Sequence, residues 1–389
     1  MESATEQICA EKRAQATKLI AESGVDLWLI LLREDSDPIA SYILDGHIVA
    51  DTALIINDSE ITAILGHIEM ANEFGRFFDR VIPYESGKFW ESLAAELFAQ
   101  DPTRLALNYS ESDHTADGLR VGLYRRLCRA VGREWLYQRE TSSEDIIAGL
   151  RGVKSSSELH TINIAADITL NVADKLNAHL RPGITHGELR ELFDKLVAQD
   201  GRTTPEFFIP TSGCIGKILR GQPQYRVEEG DSLILDMGVR YKGYTADFKR
   251  MWYFLRQDET NPPQNLVEAF DACRDVIKEV ASILKEGVDG HSVDAYAKER
   301  LAIRGYDEYP QALGHQVGRQ AHDGGVVLGP RNRYGRAHLP VQSNMVFTLE
   351  PGVKFPEHFP VGLEEMVRVC HAGPAEFLCP PQDALSLIR

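Results

Sequence analysis

The sequence has no paired cysteines, no long apolar run and no excess of positive charge. Its six cysteines, Cys9, Cys128, Cys214, Cys273, Cys370 and Cys379, are scattered, and none forms a C-x-x-C pair. That reads against both a disulfide framework and a thiolate zinc site. Each cysteine is expected to be a small buried apolar residue rather than a nucleophile. No stretch approaches the roughly 18 uninterrupted apolar residues that a membrane-spanning helix needs. Residues 1–13 carry Glu2, Glu6 and Glu11 and no apolar core of a secretory signal. A cytoplasmic protein with reduced thiols is the expectation. Basic residues number 42 against 58 acidic ones, a net charge of −16, which argues against a nucleic-acid backbone as partner. The acidic balance suits a site that collects cations, and a solvated acidic surface explains it as well. No glycine-rich phosphate loop follows a strand in the first third, so no nucleotide site is visible there.

What is present fits two domains over 389 residues. In the first third, Asp26–Leu32, Ala53–Asn57, Ile61–Leu65 and Leu105–Asn108 read as strands, with a hairpin turn over Asn57-Asp58-Ser59-Glu60. Glu91–Ala99 and Ala116–Val131 have helical spacing. This predicts an α/β domain over 1–145. Ser155 with Glu158 three residues on is a capping box, opening a long helix from Ser156 to about Leu180, before Pro182-Gly183 stops it. A helix over His186–Gln199 follows. Ser232–Met237 reads as a buried strand, with Val239–Tyr244 as its neighbour across a tight Met237-Gly238 turn. Leu266–Lys285 and Ser292–Ile303 read as helices; Met345–Leu349, Gly362–Val369 and Glu376–Cys379 read as strands. The second domain, 146–389, is therefore α+β.

Four segments of that domain set acids or a histidine in strand-like apolar text. They are Leu233-Ile234-Leu235-Asp236, Tyr244-Thr245-Ala246-Asp247, Leu313-Gly314-His315-Gln316, and the pair Thr348-Leu349-Glu350-Pro351-Gly352 with Gly362-Leu363-Glu364-Glu365. An ionised carboxylate in a buried strand costs several kcal/mol unless something pairs with it. Four carboxylates and an imidazole are ligands suited to Mn²⁺, Fe²⁺, Co²⁺ or Zn²⁺, and a pair of divalent ions would balance the four negative charges.

The ordered set resembles the pita-bread metallohydrolase family of proline aminopeptidase, prolidase, methionine aminopeptidase and creatinase. The matching text is Asp236 and Asp247 separated by a ten-residue hairpin, then Gly314-His315, Thr348-Leu349-Glu350-Pro351-Gly352 and Leu363-Glu364. Leu150-Arg151, Lys154-Ser155 and Glu158 resemble the proline-specific and creatinase-like branch, as does an extra α/β domain in front. The resemblance implies a creatinase-like N-terminal domain and a catalytic pita-bread domain. It also implies two divalent ions, of manganese, cobalt, zinc or iron. Asp236 would bind one, Asp247 and Glu364 would bridge the pair, and His315 and Glu350 would complete the other. Such ions sit about 3.5–4 Å apart around a water whose pKa they lower. Glu350 is then the candidate general base, and His322 the residue that steadies the substrate carbonyl. Glu365 would face the other side of its strand. A homodimer is expected by analogy.

The sequence departs from the proline-specific pattern around the substrate. Leu219-Arg220-Gly221 stands where a substrate-contacting His is usual, Gln311 replaces another His, and Gly362 replaces an Arg. Arg220 could bind a substrate carboxylate, or it could be a solvated loop residue. The implied activity is hydrolysis of a bond between an N-terminal residue and proline, or of a related amide. A small-molecule hydrolase or lyase like creatinase, ectoine hydrolase or a sulfonium-propionate lyase is the alternative. A non-catalytic binding protein on the same fold is the third reading.

Overall fold

A computed structural model describes residues 4–307, 309–353 and 358–389; Glu2, noted above, lies outside them. The chain divides into two compact units, one ending at Arg151 and the other beginning at Gly152.

The first unit is built on a six-stranded mixed sheet. Its strands are β1 (Leu27–Leu32), β2 (Thr52–Ile56), β3 (Ile61–Leu65), β4 (Arg80–Pro83), β5 (Leu105–Leu107) and β6 (Glu140–Ser142), in the order β4-β3-β2-β1-β5-β6. β1 is apolar without alternation because both its faces are buried. Trp28, Ile30 and Leu32 pack with Ala16 and Ile20 of the helix Ala4–Ser23 and with Ile146, Ile147 and Leu150. Leu27, Leu29 and Leu31 pack with Phe89, Leu93 and Leu97 of one helix, Phe89–Gln100, and Leu123 and Leu127 of another, Val121–Val131. The β2–β3 hairpin turns where Asn57 Oδ1 accepts from the backbone N–H groups of Ser59 and Glu60, at 2.9 and 2.8 Å. The helix expected from Ala116 starts at Val121, because a separate short turn over His114–Ala116 is capped by Asp113.

The second unit opens with the capped helix Ser156–Asn177. Ser155 N–H donates to Glu158 Oε2 at 2.7 Å, and Glu158 N–H to Ser155 Oγ at 3.3 Å. The helix His186–Asp200 has a second capping box, between Thr185 and Glu188. Next come β7 (Thr203–Cys214), β8 (Lys217–Arg220), β9 (Ser232–Tyr241), β10 (Tyr244–Thr245) and β11 (Phe248–Phe254). Helices Gln264–Ile283 and Gly290–Ile303 follow, then β12 (Val346–Leu349), β13 (Glu365–Arg368), β14 (Glu376–Phe377) and β15 (Ser386–Ile388). One sheet runs β15-β11-β9-β7-β8, with β10 paired to β9; the other runs β12-β13-β14. The last two helices bury Phe270, Cys273, Val276 and Leu301 against Met251, Phe347 and Val367 of these strands.

One strand reading is corrected. There is no turn at Met237-Gly238; β9 runs straight through to Tyr241. The turn lies at Lys242-Gly243, where both residues have positive φ, 46° and 83°. Gly238 serves close approach instead: a Cβ there would meet the Ala246 carbonyl oxygen at 2.0 Å. Among the described residues, no helix is long and apolar enough to cross a membrane.

Candidate metal centre

The two sheets meet at one point, and the charged residues gather there. β9 and β11 are antiparallel, with Asp236 directly opposite Lys249. Lys249 in turn pairs with Glu364, just before β13: Lys249 N–H donates to the Glu364 carbonyl at 3.3 Å, and Glu364 N–H to the Lys249 carbonyl at 3.4 Å. β13 pairs with β12 so that Leu349 faces Glu365. One residue further, that register sets Glu350 against Glu364. Four neighbouring strand segments thus carry Asp236, Lys249, Glu364 and Glu350 in a row, as cross-strand neighbours on one face are placed.

His315 comes from a fifth segment beside β12. Its carbonyl accepts from Thr348 N–H at 2.9 Å, its own N–H donates to Thr348 Oγ1 at 3.2 Å, and Glu350 N–H donates to the Leu313 carbonyl at 2.7 Å. Gly314 permits this closeness: a Cβ on it would lie 1.9 Å from the Thr348 carbonyl oxygen. The His315 Nδ1 lies 3.3 Å from the Gln316 carbonyl, so an Nδ1–H tautomer directs the Nε2 lone pair into the cluster. Nε2 lies 3.7 Å from Asp247 Oδ2, 3.5 Å from Glu350 Oε1 and 3.9 Å from Glu364 Oε1.

Burial dominates the electrostatics. It raises Asp236 to about 6, with Lys249 opposing, and lifts Asp247 well above the ordinary range, with Glu364 adding to the effect. Burial also raises Glu350 and Glu364. It lowers His315 to about 4, which leaves the imidazole neutral at pH 7. Burial works against the Lys249 charge too, but Glu364, Glu350 and Asp236 more than offset it and hold the ammonium form.

The residues fit a divalent cation. Asp247, His315 and Glu364 each offer a ligand atom, all within 4.8 Å of one another. Among the described residues, Asp247 Oδ1 and Glu364 Oε1 are buried without a hydrogen-bond donor. Buried acceptors without donors beside a neutral imidazole lone pair are what a bound cation would satisfy.

The other expected site residues surround this group. The His322 ring lies against His315, centroids 4.2 Å apart, and is exposed. Its loop is tethered by a buried ion pair, Lys154 Nζ to Asp323 Oδ2 at 3.0 Å. Arg220 is exposed at the end of β8, its Nη2 3.8 Å from Asp236 Oδ2. Arg220, Gln311 and Gly362 line one cavity of about 180 Å³ with Asp236, Lys249 and Glu350. Three of the positions that depart from the proline-specific pattern therefore share one pocket; Leu219 is not among its lining residues. Glu365 faces away from the cluster and pairs with Arg250.

Sequence reasoning missed Lys249. Lys249 stands two residues after Asp247, just inside β11, and opposite Asp236 on β9.

Residues 160–371, more than half the chain, match the profile of metallopeptidase family M24. The chain belongs to metallopeptidase family M24. It is accordingly a metal-dependent peptidase with the pita-bread fold, acting on peptide and binding divalent metal. The Xaa-Pro dipeptidase of Pyrococcus horikoshii is 24% identical over 79% of this chain and 85% of its own length. That of Pyrococcus furiosus is 26% identical over 59% of this chain and 64% of its own length, just under two thirds. Among solved structures, X-Pro aminopeptidase from Thermotoga maritima has a TM-score of 0.74 at 24% identity, covering 96% of this chain and 100% of its own. Dipeptidase PepE from Mycobacterium ulcerans has a TM-score of 0.76 at 20% identity, each chain covered to 98%. At these identities the structures establish the fold alone.

Proposed function

We propose that this M24 peptidase cleaves the bond between an N-terminal residue and a following proline. On this reading Asp236, Asp247, His315, Glu350 and Glu364 form the metal centre, within a catalytic domain over 146–389. The observation that carries it is the pair of orphaned buried oxygens, Asp247 Oδ1 and Glu364 Oε1, beside a neutral His315. Similarity to Xaa-Pro dipeptidases supplies the choice of substrate. Metal of the manganese, cobalt, zinc or iron class would supply a Lewis acid and a nucleophilic water at neutral pH, and the resemblance implies two ions per chain.

The chain's own residues would do the rest. Glu350, its carboxyl raised by burial, takes a proton from the attacking water and returns it to the departing amine. His322, tilted against the His315 ring and open to solvent, donates to the oxygen of the scissile carbonyl as charge builds there. Arg220, at the rim, holds the substrate's carboxylate. A cavity of about 180 Å³ lies beside these residues and has room for the end of a peptide. A homodimer and a cytoplasmic location belong to the same reading, by analogy.

The test is metal content and Xaa-Pro dipeptide hydrolysis on one purified sample, with Asp247→Asn beside it. Bound metal and cleavage, both lost in the variant, are expected. Absence of metal after incubation with Mn²⁺ would sink the reading. Metal without peptide cleavage would favour the second reading, a hydrolase or lyase of small molecules. That reading is supported by Arg220, Gln311 and Gly362 gathering in one pocket.

A further inference from the structure

Lys249 puts a positive charge inside a group that its carboxylates would otherwise fill with metal alone. Its Nζ lies 2.5 Å from Glu364 Oε2, 2.6 Å from Glu350 Oε2 and 3.8 Å from Asp236 Oδ2. Each glutamate is thereby divided. One oxygen, Oε2, is held by Lys249; the other, Oε1, faces His315 Nε2. The cluster has two halves, a Lys249 half that includes Asp236 and a His315 half that includes Asp247.

We infer that the Lys249 ammonium takes the place of one of the two metal ions that the resemblance implies. The chain then binds a single divalent ion, in the His315 half. This rests on the metal-centre reading above and changes its stoichiometry.

Three observations support it. The first is where hydrogen bonding is incomplete. Glu364 Oε2 and Glu350 Oε2 already have a donor, while among the described residues Glu364 Oε1 and Asp247 Oδ1 have none and would accept a cation in the other half. The second is space. Metal–oxygen bonds in such sites are about 2.0–2.2 Å long, and an ion bound through Glu364 Oε2 on the Asp236 side would compete for that oxygen with Nζ, which lies 2.5 Å from it. Backbone pairing of Lys249 with both Asp236 and Glu364 fixes the root of that side chain between them.

The third is charge. Asp236, Asp247, Glu350 and Glu364 bring four negative charges. Lys249 offsets one of them inside the cluster and one divalent ion two more; Arg220, 3.8 Å from Asp236 Oδ2, lies at the exposed rim. The neighbouring Arg250 is engaged elsewhere, with Glu365. A second divalent ion would turn the net charge of this mostly buried site positive, where net charge is costly.

The experiment is a Mn²⁺ titration of chelator-stripped protein, with the bound metal counted by elemental analysis. Wild type, Lys249→Ala, Asp236→Asn and Asp247→Asn are compared. One ion per chain is expected in wild type and two in Lys249→Ala. Asp236→Asn should keep its single ion with at most about a 10–100-fold loss of affinity, as for a group outside the coordination shell. Asp247→Asn should lose the ion. Two ions in wild type, or loss of the ion in Asp236→Asn, would overturn the inference and leave the metal centre standing. No bound metal in wild type would overturn both. If Lys249→Ala does not fold, the wild-type count and the Asp236→Asn result decide.

Discussion

Arg250 grips Glu365 with two guanidinium nitrogens, Nη1 to Oε1 at 2.9 Å and Nη2 to Oε2 at 3.0 Å. The pair lies one residue along each strand from Lys249 and Glu364, and so on the opposite face of the sheet. Arg250 Nη1 also reaches the Glu364 carbonyl at 3.3 Å, and Gln382 N–H donates to Glu365 Oε1 at 2.8 Å. The bond thus joins β11 to β13 directly behind the metal centre. Removing one partner strands a buried charge. Glu365→Ala should cost about 3–5 kcal/mol of stability. Replacing both residues together, with Arg250→Met and Glu365→Leu, should recover much of that loss. Urea denaturation of the three proteins checks it, and equal stability of the single variant and wild type would count against it.

Gly314 sets how closely the His315 segment approaches β12. A Cβ there would meet the Thr348 carbonyl oxygen at 1.9 Å and its carbon at 2.8 Å. Both are backbone atoms of a buried strand, so relief must come from moving the segment. Gly314→Ala should lose about 1–3 kcal/mol or more. It should also weaken Mn²⁺ binding, because the His315 ring moves with its backbone. Unchanged metal affinity in the folded variant would show that the spacing is not set here.

These contacts show which features could be read from sequence. The capping box of Ser155 and Glu158 lies within one turn of helix, so the local text contains all of it. The acids in apolar strands were legible because burying them needs a compensating charge somewhere. Gly238 was misread as a turn because a strand glycine can mean either a turn or a close approach. The choice is made by Ala246, on the returning chain. The helix Ala4–Ser23 carries little periodic signal in its sequence. It buries Ile8, Cys9, Ala16 and Ile20, and with them Lys12, whose ammonium donates to the Leu150 carbonyl. A buried lysine in the stripe blurs the periodic signal. The role of Lys249 is not legible locally, because its partners Glu350 and Glu364 lie more than 100 residues away in sequence.

Asp37 gives the first unit a pH dependence of its own. Its carboxylate is 2% exposed, accepts from Asn108 Nδ2 at 2.7 Å and Ile39 N–H at 3.0 Å, and is raised by burial to about 6. Asn108 cannot turn to help further, since its Oδ1 already accepts from Trp28 Nε1 and Ser143 Oγ. Between the unfolded value of 3.8 and about 6, the folded chain holds this proton more tightly than the unfolded one. Stability therefore falls as pH rises through that window. The shift is worth about 3 kcal/mol, lost in full above about pH 7. Asp37→Asn should lack this component whatever its absolute stability. Denaturation at pH 4.5 and 7 for both proteins measures it, and parallel pH profiles would refute it.

If Arg220 holds the substrate's carboxylate, its removal should separate peptide recognition from catalysis. Its contact with Asp236 is 3.8 Å long and its side chain is 61% exposed, so the pair contributes little in water. The guanidinium can turn to a substrate's carboxylate. A Xaa-Pro dipeptide presents such a carboxylate; its C-terminal amide does not. A hydrogen bond to a charged group is worth about 1.5–3 kcal/mol, or roughly 10–150-fold in affinity. Arg220→Ala should therefore raise KM for the dipeptide by that factor. Its kcat should change little, as for a contact made equally in the ground and transition states. The dipeptide amide should be cleaved with the same KM by both proteins. An equal loss on the two substrates would mean that Arg220 acts on the metal centre through Asp236 instead. No loss on either would leave it a solvated rim residue.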